Sequence, residues 1–195
     1  MSQNFVFNQE KSMNHYIDIQ IQPDAEMREN LLLNKVYTKL HKALYSLKSK
    51  DIGVSFPRCK VLLGDIIRLH GTVNSLLKLQ ESNWLGGLTG YCKITKIQTV
   101  PEQTSYRIIS RIQANMTPTK LRRLIKRGSI SADEVKRYKA KMFTKGLENP
   151  YFELESSSNG HKHRRYIDFG EIIKHSVSGE FDQFGLSKVA TIPWF

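Results

Sequence analysis

A change of hydrophobic period near the start of this chain limits the folds open to it. Ile17, Ile19 and Ile21 alternate with Asp18 and Gln20, the spacing of a half-buried strand, and Pro23-Asp24 ends the run. The next apolar residues, Leu33, Val36, Tyr37, Leu40, Leu44 and Leu47, recur at helical spacing with Lys35, Lys39 and Lys42 off the stripe, which predicts a helix to about Lys48. Strand spacing returns at Ile52, Val54 and Phe56 and stops at Pro57. Residues 64–71 (GDIIRLHG) read as a third strand, Val73 to about Leu85 as a second helix, and Gly90 to about Val100 as a fourth strand. The order βαββαβ is that of one four-stranded sheet with two helices, the ferredoxin-like arrangement, which many RNA-binding modules share.

Pro101 opens a more charged and less periodic half, so the predicted division is a polar extension over 1–13, a ferredoxin-like domain over 14–100 and a smaller C-terminal α/β domain over 101–195. The fold class is α+β. Tyr106 to Gln113 reads as a strand, Thr117-Pro118 as the start of a helix, and Ser131 as the cap of another with Asp133 and Glu134 in its first turn. Strand spacing recurs at Tyr151 to Leu154, Arg164 to Phe169 and Ile172 to His175.

The helix after Pro118 carries Lys120, Arg122, Arg123, Lys126 and Arg127 and no acidic residue. Arg122 stacks over Lys126 and Arg123 over Arg127, each like-charge pair costing roughly 0.2–0.5 kcal/mol. Leu121, Leu124 and Ile125 share the face expected to dock on a core, so the cations point outward and need an external polyanion. The whole chain agrees: 30 Lys and Arg against 18 acidic residues give a formal charge of +12, which favours nucleic acid as partner. No apolar run reaches the ~18 residues of a membrane span, and the first residues lack the pattern of a secretory leader, which predicts a cytoplasmic protein with no membrane partner. Two cysteines, Cys59 and Cys92, are too few for a disulfide framework or a paired zinc motif. The glycines match no phosphate loop, and His161 and His163 lack Cys or carboxylate companions at ligand spacing, so no cofactor and no metal is expected.

What remains is chemistry that needs only a base and a positioned hydroxyl. A base that takes the 2′-OH proton of RNA lets that oxygen attack the adjacent phosphorus, and histidine suits the role because its pKa lies near neutrality. Of the six histidines, His41 is best placed, beside Leu40 on the long helix and flanked by Lys39 and Lys42. A partly buried structural histidine would look the same, and Ser156, Ser157 and Ser158 could equally be a polar turn.

From Met13 to Phe195 the chain resembles the CRISPR-associated endoribonucleases of subtype I-F. The residues that carry the resemblance are HYIDI (15–19), IGVSFP (52–57), SRIQA (110–114), LRR (121–123), GLSK (185–188) and PWF (193–195). It implies a ferredoxin-like half joined to a half with an arginine-rich helix, and a prokaryotic, metal-independent enzyme that cuts the CRISPR repeat hairpin in precursor RNA. The products would be a 2′,3′-cyclic phosphate and a 5′-OH, with the enzyme left on the mature guide RNA. By resemblance His41 is the general base, Ser156 holds the 2′-OH and Ser158 lies near the scissile phosphate. Arg111 and Gln113 would read the foot of the stem, their shared strand face and their affinities for guanine and adenine suiting the task. Lys120, Arg122, Arg123, Lys126 and Arg127 would hold stem phosphates. His163 stands where the family can stack an aromatic under the terminal base pair, and Phe184 where it can carry a tyrosine that orients the histidine. The implied partners are the repeat hairpin and the other subunits of the subtype I-F surveillance complex, with a monomer when free. The alternative reading is a non-catalytic hairpin-binding subunit of a ribonucleoprotein.

Overall fold

The first strand of the sequence, β1 (His15–Ile21), is a central one: it pairs antiparallel with β3 (Ile66–Gly71) on one side and with β4 (Cys92–Ile94) and β5 (Gln98–Thr99) on the other. The computed structural model describes residues 13–112, 118–145, 149–155, 160 and 162–195. β2 (Gly53–Ser55) joins the free edge of β3, giving the order β2-β3-β1-β4, and α1 (Glu29–Ser46) and α2 (Val73–Glu81) supply the helices. Fold class is therefore mixed helix and sheet, as expected. Cross-strand pairs Ile17 with Leu69 and Ile19 with Ile67 are fully buried and share one core with Leu32, Val36, Leu40 and Leu44 of α1. The predicted extension, 1–13, falls outside the described residues except for Met13, which packs against that core.

Several boundaries differ from the sequence reading. α1 begins at Glu29, because the Asp24 carboxylate takes the amides of Glu26 and Met27 and shapes a turn ahead of it. α2 opens on a Thr72–Ser75 capping box and stops at Glu81, four residues short of Leu85. Asn83 and Gly86 adopt positive φ there, and a 3-10 turn over Gly86–Tyr91 follows, so the fourth strand is two short pieces. The strand expected over Tyr106 to Gln113 is also two, β6 (Ser105–Arg107) and β7 (Ile109–Ile112), which join different sheets. The chain crosses over at Ile108, whose carbonyl accepts from Gly170 N at 2.9 Å, while the Arg107 guanidinium holds the Phe169 and Gly170 carbonyls. Ile172 to His175 is not a strand; only Ile173 bridges, to Tyr106.

β7 pairs with β9 (Lys162–Phe169), and β9 with β8 (Tyr151–Glu155). Ile109, Phe152, Leu154 and Ile167 of this sheet are buried in the same core as β1 and α1, so the two halves of the chain share one interior. α3 (Pro118–Lys126) packs mainly on α4 (Ala132–Lys145), and its docking face is narrower than predicted. Leu121 is buried and Leu124 half-buried, but Ile125 is 50% exposed. The Thr117 cap lies outside the described residues, whereas Ser131 caps α4 as expected, donating its amide to Glu134 Oε2 at 2.8 Å and accepting from Glu134 N at 3.3 Å.

An unanticipated strand, β10 (Ile192–Trp194), pairs with β6 and carries the C-terminus across the second face of the first sheet. On that face Arg68 forms a two-pronged pair with Asp18, at 2.7 and 2.9 Å, and donates to the Phe195 carbonyl at 3.1 Å. Its guanidinium also lies over the rings of Tyr16 and Phe195. Beside it His70 is fully buried against Ser55, and burial, helped by the Arg68 charge, pushes its pKa down to about 3. A Cβ on Gly53 would stand 2.5 Å from Ile192 Cγ2 and 2.9 Å from Phe181 Cε1. Gly53→Ala should therefore overpack this interface and cost roughly 1–3 kcal/mol in denaturant unfolding; wild-type stability would show that the C-terminal segment does not press on β2.

Candidate active site

Tyr37 and His41 stand four residues apart on α1, so both side chains emerge on one face, and both meet the turn at residues 181–186. That turn is held from within. Asp182 Oδ1 accepts from the amides of Phe184 at 2.8 Å and Leu186 at 3.0 Å, and Gly185 adopts φ +70°, where a Cβ would strike Val54 Cγ2. The Gly185 carbonyl accepts from Val54 N of β2 at 2.9 Å. The Tyr37 hydroxyl donates to the Phe184 carbonyl at 3.0 Å, and burial raises its pKa far above the ordinary phenol value.

His41 lies flat on Phe184, with ring centroids 3.7 Å apart and planes 9° from parallel. Its Nδ1 stands 2.9 Å from the Gln183 carbonyl oxygen. A carbonyl can only accept, so Nδ1 carries the proton, and in the neutral ring Nε2 holds a free lone pair. Burial lowers the His41 pKa below its ordinary value, with the Arg165 and Lys42 charges acting in the same direction; the Gln183 carbonyl and the Asp182 carboxylate oppose them.

The other wall is the β7-β9-β8 sheet. Its register puts Arg111 opposite Ile167, Phe152 opposite Arg165 and Leu154 opposite His163, so Arg111, Arg165 and His163 share the face that carries the buried Phe152, Leu154 and Ile167. Arg165 is 6% exposed, with its Cζ 3.4 Å from the Phe184 ring centre. Burial, and then the neighbouring Arg111 charge, lower the Arg165 pKa. His163 is exposed at the open end of the face. Arg164 points the other way, 3.6 Å from Glu153 and over the Tyr151 ring.

Of the residues singled out from sequence, His41 and Arg111 border this corner, and the basic residues of α3 and the adjoining Arg127 form an exposed cationic ridge. Ser156, Ser158 and Gln113 lie outside the described residues, as do Ser157 and His161. Sequence reasoning alone passes over Tyr37, Asp182, Gln183 and Arg165. Tyr37 reads there only as core, although its i, i+4 spacing to His41 is visible, and Asp182 three residues before Gly185 is a turn signal. Arg165 alternates with Ile167, which marks it as inward-facing. Among the described residues, no three His, Cys, Asp or Glu side chains converge as a metal site would require, and no helix is long and apolar enough to cross a membrane.

Comparison with known proteins places these features in a family. The sequence model of the family described as CRISPR-associated protein (Cas_Csy4) matches residues 16–195. The CRISPR-associated endonuclease Cas6/Csy4 of Escherichia coli (strain UTI89 / UPEC) is 36% identical over 94% of this chain and 100% of its own length. The protein of the same name from Pseudomonas aeruginosa (strain UCBPP-PA14) is 35% identical over the same shares. A solved structure described as "An RAMP protein binding different RNA substrates" aligns over 93% of this chain and all of its own, but at 12% identity and a TM-score of 0.32 it carries no argument.

An NMR titration of the free protein should place the His41 midpoint below the ordinary imidazole value of 6.5. A midpoint at or above that value would mean that burial and the two cations do not dominate the ring's surroundings.

Proposed function

Because the chain belongs to the CRISPR-associated Cas6/Csy4 family, we propose that it is the endoribonuclease that cuts the CRISPR repeat hairpin in precursor RNA, with His41 as general base and no metal in the chemistry. The observation that carries this reading is the bond from His41 Nδ1 to the Gln183 carbonyl, which leaves Nε2 as the ring's one basic atom. Nε2 takes the proton of the 2′-OH, the 2′-oxygen bonds to the adjacent phosphorus, and the 5′-oxygen leaves and gains a proton. The products are a 2′,3′-cyclic phosphate and a 5′-OH. A lowered His41 pKa serves this step, since the base must be neutral before it can act. Phe184 lacks a hydroxyl, yet a stacked ring and a carbonyl acceptor are sufficient to hold the imidazole.

The remaining roles follow the same scheme. Ser156 holds the 2′-OH and Ser158 lies by the scissile phosphate; Arg111 and Gln113 read bases at the foot of the stem, and His163 stacks beneath it. Lys120, Arg122, Arg123, Lys126 and Arg127 take stem phosphates along the exposed side of α3 and the residue beyond it. The half up to about residue 100 thus supplies the base, and the half beyond it most of the groups that hold RNA. The stem is gripped in the same way before and after cleavage, so the product stays bound, and the retained guide RNA is what joins the protein to the other subunits of a subtype I-F surveillance complex.

Incubation with the repeat hairpin in EDTA should give cleavage, and His41→Ala should slow it by about 10²- to 10⁴-fold without loss of binding. Cleavage that survives the substitution, or that needs a divalent metal, would refute the mechanism. Hairpin bound but never cut by the unaltered protein would mark a non-catalytic hairpin cap.

Replacing Arg122 and Arg123 together by Ala should weaken hairpin binding and flatten the slope of log affinity against log salt by roughly 0.7–0.9 for each phosphate no longer neutralised. An unchanged slope would remove the ridge from the interface.

A further inference from the structure

Arg165 is an expensive residue to bury. It is 6% exposed, and among the described residues its Nε has no acceptor, while its neighbour Arg111 is a like charge whose own buried Nε is likewise without one. Among the described residues no carboxylate forms an ion pair with it, and Asp182 directs Oδ1 to the amides of its own turn. Replacing such a group by an apolar side chain of similar volume is generally neutral or stabilising. A charge kept here at the expense of stability needs a different reason.

Its position supplies one. The guanidinium carbon lies 3.4 Å from the Phe184 ring centre and the His41 ring centre lies 3.7 Å from it. Two groups that close to one ring must occupy opposite faces, so Phe184 is gripped between them. Cation–π attraction is strong in a desolvated site, and it fixes the plane of the ring rather than only filling space. We propose that Arg165 is a positioning residue for RNA cleavage: its guanidinium clamps Phe184 from behind and so fixes the surface on which the His41 imidazole rests. This rests on the reading of His41 as general base.

The same charge bears on protonation. The groups that face His41 are Arg165 from β9, Asp182 and the Gln183 carbonyl from the turn, and Lys42 from its own helix, with Arg111 behind Arg165. Removing the Arg165 cation raises the pKa of His41, so the rising limb of the rate–pH profile moves to higher pH.

The test compares full-length Arg165→Met and Arg165→Lys with the unaltered protein in thermal unfolding, hairpin affinity, single-turnover cleavage against pH, and NMR titration of His41. Arg165→Met should be at least as stable, bind the hairpin nearly as well, and cleave about 10- to 100-fold more slowly, the range expected when a reacting group is misplaced. Its rising limb and its His41 midpoint should both lie at higher pH. Arg165→Lys, which keeps the charge without the flat guanidinium, should restore the limb but only part of the rate. Wild-type rate and pH profile in Arg165→Met, a rate loss matched by a loss of affinity, or failure of that variant to fold would each overturn the proposal. If His41→Ala still cleaves, the general-base reading falls separately; the clamp is then judged by the His41 titration, and an unmoved midpoint in Arg165→Met removes it.

Discussion

The turn at residues 182–186 is the constraint on which the rest of the site depends. It joins three parts of the molecule that are distant in sequence: β2 through Val54, α1 through Tyr37 and His41, and β9 through Arg165. Its shape depends on one carboxylate and one glycine. Asp182 takes two amides of the turn, and only a residue without a Cβ fits at Gly185, at φ +70° against Val54. A side chain there would move the Gln183 carbonyl and the Phe184 ring together, and with them both groups that hold His41. The GLSK motif at 185–188 is thus a structural condition for the site, although none of its side chains is assigned a catalytic role.

The C-terminal segment sets a second condition. Four-stranded sheets of this order can read single-stranded RNA across the face not covered by helices. In this chain that face holds the Asp18–Arg68 pair, buried His70 and the Phe195 ring, with Ile192 pressed on Gly53. The C-terminal segment therefore covers part of it. A row of exposed cations lies elsewhere, on α3 and the residue beyond it, and among the described residues α3 packs through buried Leu121 and half-buried Leu124 and against α4. A helix so lightly packed gives up apolar burial to keep its charged side open, consistent with binding a phosphate backbone.

What the sequence made legible follows from how local each signal was. β1, α1, β3 and the Ser131 cap were readable because period and capping chemistry act within a few residues. The fourth strand, the break at Ile108 and β10 were not, because each is decided by a partner far along the chain: Gly170 for Ile108, β6 for β10. The candidate site divides in the same way. His41 could be found from its setting on α1, but the groups that orient it arrive from residues 165 and 182–185, more than a hundred positions later. Arg165 in particular reads from sequence as one more surface cation beside Arg164, and only the strand register turns one of the pair inward and the other out.

That inward turn shows how the chain separates two uses of positive charge. On the proposed reading, the exposed cations on α3 contribute affinity that falls with salt, and they cost the fold little because they stand in solvent. The Arg165 cation is buried, beside a half-buried Arg111 whose Nε is out of solvent, so water solvates it poorly and the fold is less stable than an apolar core would make it. Salt screens such charges weakly, so their effect on His41 persists under conditions that weaken the ridge. On the proposed roles, binding strength and the state of the base vary independently: the exposed cations of α3 hold or release RNA, while Arg165 helps keep the His41 pKa low and its stacking partner in place.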